Sequence, residues 1–593
     1  MFKSLAICSL ISVSVLAQKT NYITQLTNKP FGDPREFVWT RTVGSGLTGS
    51  LSSAGNNTLT FTNCPYGIMG NAEDMWVRIY SGSGTEEAAK IIGGTCTGTG
   101  PSGTLIINTA NAHTGSWKIG TAYAGMREAQ NLLTSKWVHV IPGTYNWYAP
   151  FYPRDGSGLI CGAANADGSP TPTCFVSFKH NSLAAVVGIT NDFVIKGFAF
   201  QHDAAAGTPT STNHGIVTTT IGGKKAFGYR LEDLSFRGFG GNGVDLEGGS
   251  LGYLNNVQST NNEGDCFVSR QAQGYWFNVT GIGCKGDSFK LTAASGPAGT
   301  NPFITNLHSF SSGGWGVNIL HSNVYIQGCY LNNESLGNMR VAASAIGSDN
   351  HLISNCIMEW AGDNSFAPAT GYTKNLTAPS LKLETGGGGI QFSNISIMGP
   401  NGNGIELAGS EFSFSNLKVY SQGRGAQPNF LYSILQTAGA NNKFSNVVGS
   451  AVKITGGGGT ILTNSSFAHD SATISPLEIT AGTHFMIANN FFSQAGTAPA
   501  FKVATGVTLL EGHNLISGTV DNKGLEEATS KPTVPQKILA LTHAQVMALV
   551  NPTQGDIYIC VGCTVGSNPC TAGGNNVLAV FIAPSFSCQS ATF

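Results

Sequence analysis

Between residues 229 and 493 short runs of alternating apolar and polar residues recur, each interrupted at one place by a polar turn former. They include "YRLEDLSF" (229–236), "GYLNNVQS" (252–259), "YWFNVTGI" (275–282), "FITNLHSF" (303–310), "YIQGCYLN" (325–332), "LISNCIME" (352–359), "FSNISIMG" (392–399) and "FSNLKVYS" (414–421). The shared position holds Asp233, Asn256, Asn278, Asn306, Gly328, Asn355, Asn394 and Asn416, and continues through Asn446, Asn464 and one of Asn489 or Asn490. The first steps are 23, 22, 28, 22 and 27 residues, and the residue two before each turn former is apolar. A second apolar row, Val244, Phe267, Phe289, Val317, Met339 and Ile405, keeps the same spacing. A period near 22 with two or three short strands per unit predicts a solenoid, because one unit cannot bury its apolar face alone and stacked units share a core. The predicted class is all-β, a right-handed parallel β-helix. Asn tolerates the left-handed conformation such a corner needs. Its amide can then bond to the next coil, and Asn278 and Asn416 are expected to be buried there.

Composition fits that pattern. Only 11% of the 593 residues are charged and 78 are Gly, which suits turn-rich β structure rather than helices. The net charge of −1 and a pI of about 6.8 give no basic footprint, so nucleic acid is not expected as a partner. Residues 1–17, "MFKSLAICSLISVSVLA", read as a cleaved secretory signal: the apolar run of ~13 residues is shorter than the ~20 a membrane span needs. No later segment is apolar enough to span a bilayer, and the expected location is extracellular or on the cell surface. Twelve cysteines remain after cleavage, and in an oxidising compartment they favour disulfides, with Cys64–Cys96 and Cys161–Cys174 as pairs. Cys329 and Cys356 occupy one inward register on successive coils. Residues 18–123 read as an N-terminal β module, 124–520 as the β-helix, and 521–556 as a linker with a short amphipathic helix at 537–550. In the Cys-rich module 557–593, Cys560, Cys563, Cys570 and Cys588 are expected as two disulfides rather than a zinc site.

The segment "KWVHVIPGTYNWYAPFYPRDGSGLICGA" (136–163) resembles the opening coil of the pectate-lyase superfamily, the pectin-lyase-like β-helices. The preceding "AGMREAQNLLTS" (124–135) resembles the helix that caps that coil. The acidic block often seen before that helix, the N-T-D and G-H-G blocks of polygalacturonases and the Arg-Pro-rich blocks of typical pectate lyases are all missing. The resemblance therefore implies the fold and a polysaccharide partner, and carries over no catalytic residue.

Candidate chemistry comes from the scarce charge. "EGDCFVS" (263–269) and "KGDSFKL" (285–291) lie 22 residues apart, which places Asp265 and Asp287 at one register on successive coils, with Cα atoms ~4.8 Å apart. Carboxylates that close share a proton, bind a cation or pair with a base. Strand alternation turns Asp245, Glu247, Arg270, Lys290, Asn318 and Arg340 outward beside them, and Trp315 continues the Asp265/Asp287 register as an aromatic platform. The candidate catalytic residues are Asp265, Asp287, Asp245, Arg270 and Lys290; the candidate substrate-binding residues are Trp315, Asn318, Arg340 and Glu247. The plainer reading is a solvated face with ion pairs such as Glu247–Arg270. A second candidate cluster is Glu334, Arg340, Glu359 and Trp360. His202, Asp203 and His214 sit in a stretch read as a loop, where a lone His is most often solvated.

The expected function is cleavage of an extracellular acidic polysaccharide. In hydrolysis Asp265 and Asp287 would act as acid and base, at a separation that looks short for an inverting pair. In β-elimination Arg270 or Lys290 would take the C5 proton, with the carboxylates holding a calcium ion; no other cofactor is implied. The competing expectation is a binding protein without catalysis, a homotrimeric adhesin or tailspike-like stalk.

Overall fold

The computed structural model describes residues 34–72, 74–98, 100–133, 136–162, 173–219, 226–247, 251–270, 273–292, 301–320, 324–343, 351–362, 375–384, 389–420 and 431–526. Beyond these it describes the backbone at 540–542, 544, 546, 557–563, 572–582 and 585–589. The proposed signal segment lies outside them. The described chain forms two compact units, Met1–Gly409 with Tyr420–Leu431, and Ser410–Val419 with Tyr432–Phe593.

In the first unit, seven antiparallel strands between Thr40 and Thr121 enclose a core of Leu47, Phe61, Val77, Ile79, Leu105 and Ile107, stapled by Cys64–Cys96. The helix Met126–Leu132 follows, with Met126 and Ala129 fully buried. From Trp137–Val140 onward the pairing becomes parallel. Each strand hydrogen-bonds to the strand one coil later, as in Gly252–Thr260 with Gln273–Ile282 and Gln273–Ile282 with Asn301–Phe310. A second parallel ladder joins Val244–Glu247, Phe267–Arg270, Phe289–Leu291, Trp315–Ile319 and Gly337–Val341. The chain is thus a parallel β-helix, as its period requires. Both predicted apolar rows point inward. Val244, Phe267, Phe289, Val317 and Met339 are fully buried, as are Leu231, Leu254 and Trp276, and Phe267 stacks on Phe289 at 4.8 Å. In the second unit a parallel ladder joins Val452–Ile454, Leu477–Ile479 and Phe501–Val503, whose Lys453, Glu478 and Lys502 form ion pairs at 3.1 and 2.9 Å.

The turn ladder is confirmed in conformation and corrected in burial. Asp233, Asn256, Asn278, Asn306, Asn355, Asn394, Asn416, Asn446, Asn464 and Asn489 all have φ between 52 and 58°, and Gly328 has φ 78°. Side-chain amides link coils: Asn256 donates to Asp233 at 3.0 Å, Asn306 to Asn278 at 3.1 Å, Asn394 to Asn355 at 3.0 Å and Asn446 to Asn416 at 3.1 Å. Asn278 and Asn416 are exposed, not buried, because the left-handed turn sits at the outer corner of the coil and carries its side chain along the rim.

Cysteines 161 and 174, 266 and 284, and 329 and 356 are bridged. The side chains of Cys560, Cys563, Cys570 and Cys588 lie outside the described residues. The expected helix at 537–550 is corrected in part: Ala540–Thr542 is a strand pairing with Ile557–Cys563, so partner hydrogen bonds override a helical apolar spacing there.

Candidate functional site

The face predicted to carry chemistry is built by the turn that precedes each strand of the second ladder. Asn242, Asp265, Asp287 and Trp315 occupy one register, and the side chains form a cascade onto the next coil's backbone. The N–H of Asp265 donates to Asn242 Oδ1 at 2.9 Å, that of Asp287 to Asp265 Oδ1 at 2.7 Å, and that of Trp315 to Asp287 Oδ1 at 2.8 Å. A short polar side chain is therefore needed at this corner for turn chemistry alone. Asp265 and Asp287 are neighbours, as their spacing predicts, but an amide hydrogen lies between them rather than a shared proton.

The remaining oxygens are also engaged. Asp287 Oδ2 accepts from Asn318 Nδ2 at 2.7 Å; the residue is 7% exposed, and burial raises its pKa against these stabilising hydrogen bonds. Asn318 is itself buried, and its Oδ1 has no partner among the described residues. Asp265 Oδ2 faces Lys290 Nζ at 3.4 Å. Asp245 is clasped by Arg270 through both oxygens, at 2.6 and 3.3 Å, and Asn242 Nδ2 donates to it at 2.7 Å; Glu247 lies 3.8 Å from the same guanidinium. Arg340 makes two hydrogen bonds to Glu384, at 2.9 and 3.0 Å, which hold that carboxyl below its ordinary pKa. Sequence spacing did not reveal Glu384, because it lies across a long excursion between coils.

Two expectations are corrected. Trp315 is no aromatic platform: it is 7% exposed, and its ring lies so close to the backbone that a Cβ on Gly337 would stand 2.3 Å from Cζ3. The carboxylates of the second cluster are taken up by other partners. Glu334 is fully buried, bonded by Ser309 Oγ and by the Ser312 N–H at 2.7 Å, and burial pushes its pKa up to about 8. Glu359 accepts from Tyr330 at 2.7 Å and Asn332 at 2.9 Å, while Trp360 is half-buried at a left-handed turn with φ 52°. A calcium ion does not fit the face. Its carboxylates already accept amide or cationic hydrogens, and no group of three His, Cys, Asp or Glu side chains is arranged for a metal among the described residues.

The histidine stretch also differs from expectation. His202 ends the strand Phe198–His202 and is buried, not solvated. Asp203 accepts the Ala205 N–H at 2.8 Å, and His214 Nδ1 accepts the Asn242 N–H at 2.8 Å, which ties this stretch to the start of the acidic face.

No family model matches this chain, and no curated protein does. Similar solved structures include the A-module of the mannuronan C-5 epimerase AlgE4 of Azotobacter vinelandii, at 11% identity and a TM-score of 0.38, covering 64% of this chain and 91% of that one. The catalytic unit of a GH87 alpha-1,3-glucanase from Streptomyces thermodiastaticus matches at 11% identity and a TM-score of 0.35, covering 83% and 96%. The tailspike gp49 of the Acinetobacter baumannii bacteriophage Fri1, a capsular polysaccharide depolymerase, matches at 12% identity and a TM-score of 0.26, covering 80% and 72%.

Proposed function

We propose that this is a secreted protein that holds an acidic polysaccharide across the outward face of the second ladder and cleaves it by β-elimination at Lys290. The four disulfides among the described residues support the extracellular setting. The observation that carries the chemistry is Lys290 itself. Its side chain is 37% exposed and its ion-pair contact, Asp265 at 3.4 Å, is loose, whereas Arg270 is clasped by Asp245 through two hydrogen bonds. Two-carboxylate hydrolysis is less well supported, because Asp265 and Asp287 each give an oxygen to the next coil's amide.

In this reading Lys290 Nζ takes the C5 proton of a uronate. The C–H electron pair forms the C4–C5 double bond, the C4–O bond breaks, and the departing oxygen takes a proton from water. Asp265 orients the ammonium that results. A binding-only reading is favoured by one observation, that the described carboxylates of this face are already partnered. The two separate on incubation with uronate and neutral glycans. Unsaturated ends, read by ultraviolet absorbance, support elimination; reducing ends without unsaturation point to hydrolysis; saturable binding without products supports the second reading.

A further inference from the structure

A polar cleft on the face of the first ladder includes Asp203 and none of Asp245, Asp265, Asp287, Arg270 and Lys290. Three consecutive coils contribute the strands Cys174–Phe178, Phe198–His202 and Arg230–Arg237, and their outward residues enclose a cleft of about 490 Å³ lined by Phe175, Gln201, Asp203, Ser235 and Arg237. That volume suits a small ligand of one or two sugar rings.

The geometry points to a saccharide-binding subsite here that prefers a ring bearing a carboxylate. Four observations converge. Phe175 is 54% exposed, and its register neighbours on either side are Thr144 and Ala199, too small to cover its ring. Elsewhere on this ladder outward aromatics stack on one another, as Tyr275, Phe303 and Tyr325 do at 5.5 and 4.7 Å, which covers both faces of Phe303. An uncovered aromatic face is what the C–H side of a pyranose packs against. Arg237, the exposed neighbour of Gln201 in register, has no carboxylate partner among the described residues, in a protein whose other groove-facing arginines are paired. A free guanidinium at the rim of a cleft offers two parallel donors to a ligand carboxylate.

Asp203 is fixed in place by Ser177 Oγ at 2.6 Å and by Lys179, whose ammonium holds the carboxyl well below its ordinary range, so it stands as a rigid acceptor for sugar hydroxyls rather than as a mate for Arg237. Gln201 and Ser235 add an amide and a hydroxyl. Behind them His202, 6% exposed, keeps an Nε2 without a partner among the described residues. Phe175 supplies the platform, Arg237 the charge selection and Asp203 the hydroxyl acceptor.

The proposal rests on the polysaccharide reading only for its choice of probes, and the test separates the two. Binding of digalacturonate, diglucuronate and the neutral disaccharide maltose to the whole protein is followed by calorimetry. Phe175→Ala should weaken every disaccharide that binds, whereas Arg237→Ala should weaken only the acidic ones, by about tenfold or more, with partial recovery in Arg237→Lys. The binding lost in Phe175→Ala is the part assigned to this cleft, and it is read without any cleavage assay, so failure of the cleavage reading does not disturb the subsite. No saturable binding of any of the three sugars by the folded wild type, or equal losses for acidic and neutral sugars in Arg237→Ala, would overturn it.

Discussion

Replacing Asn306 by Ala isolates what the turn ladder contributes. Asn306 has φ 57°, is exposed, and donates to Asn278 Oδ1 at 3.1 Å. The left-handed conformation costs an ordinary L-residue about 1–2 kcal/mol, which Asn avoids in part. The exposed amide bond adds about 0.5 kcal/mol. Asn306→Ala should therefore destabilise by about 1–2 kcal/mol. Asn306→Gly removes the strain and loses the bond plus about 0.5–1 kcal/mol of chain entropy, so it should be milder. Asn306→Val should be worst, because a β-branched residue is least tolerant of positive φ. Gly328 provides the converse: it interrupts the ladder at φ 78°, and an added Cβ would stand 3.0 Å from the movable Asn306 Oδ1 and at ordinary contact distance, 3.7 and 3.9 Å, from the Asn306 backbone. Gly328→Asn should stabilise by about 0.5–1 kcal/mol. The assay is guanidinium unfolding, with hydrogen exchange at the amides of Asn301–Phe310 to localise the effect, since a solenoid opens coil by coil. An Ala variant as stable as wild type, or a Gly variant less stable than Ala, would refute the turn-strain account.

Further outcomes follow from single contacts. Glu334, with a pKa of about 8 in the fold against about 4.5 unfolded, keeps its proton in the native state while the unfolded chain loses it. Stability should thus fall as pH rises from about 4.5 to 8 and level off above; Glu334→Gln should lack that part of the fall, so its difference from wild type in denaturant titrations should change over the same window. Replacing both Cys266 and Cys284 by Ala should cost about 2–4 kcal/mol, and peptide mapping without reductant should recover that pair together with 64–96, 161–174 and 329–356. Asp245→Ala should destabilise by about 1–3 kcal/mol, since it strands the Arg270 guanidinium and the Asn242 amide, and the double variant with Arg270→Ala should recover part of that loss.

The coil period was legible because two independent constraints repeat in step: an apolar residue facing the core and, two positions on, a residue able to take positive φ. Neighbouring coils then followed by arithmetic, which is why Asp265 and Asp287 meet. What the period could not convey is which side of a corner faces solvent, so Asn278 and Asn416 were expected to be buried and are not. Nor could it show that a register position which turns outward is shielded, as Trp315 is by lying back over Gly337. Cys266 and Cys284, 18 residues apart, join different turns within one period and so leave no mark at the spacing of 22. Asp245, Arg270 and Lys290 were found by strand alternation; that Arg270 would pair with a buried Asp245, and Lys290 with Asp265, depends on distances of a few ångströms that alternation does not fix. The cleft at Phe175 was missed because its signal is the smallness of Thr144 and Ala199 beside it.

The most direct test of the central claim is the yield of unsaturated product from a uronate polymer by the wild type and by Lys290→Ala, with folding of both verified by circular dichroism. The account predicts unsaturated ends from the wild type and their loss in Lys290→Ala, while binding of disaccharides at the Phe175 cleft persists. Undiminished unsaturated product from Lys290→Ala, or a folded wild type that yields none from any uronate polymer, would contradict it.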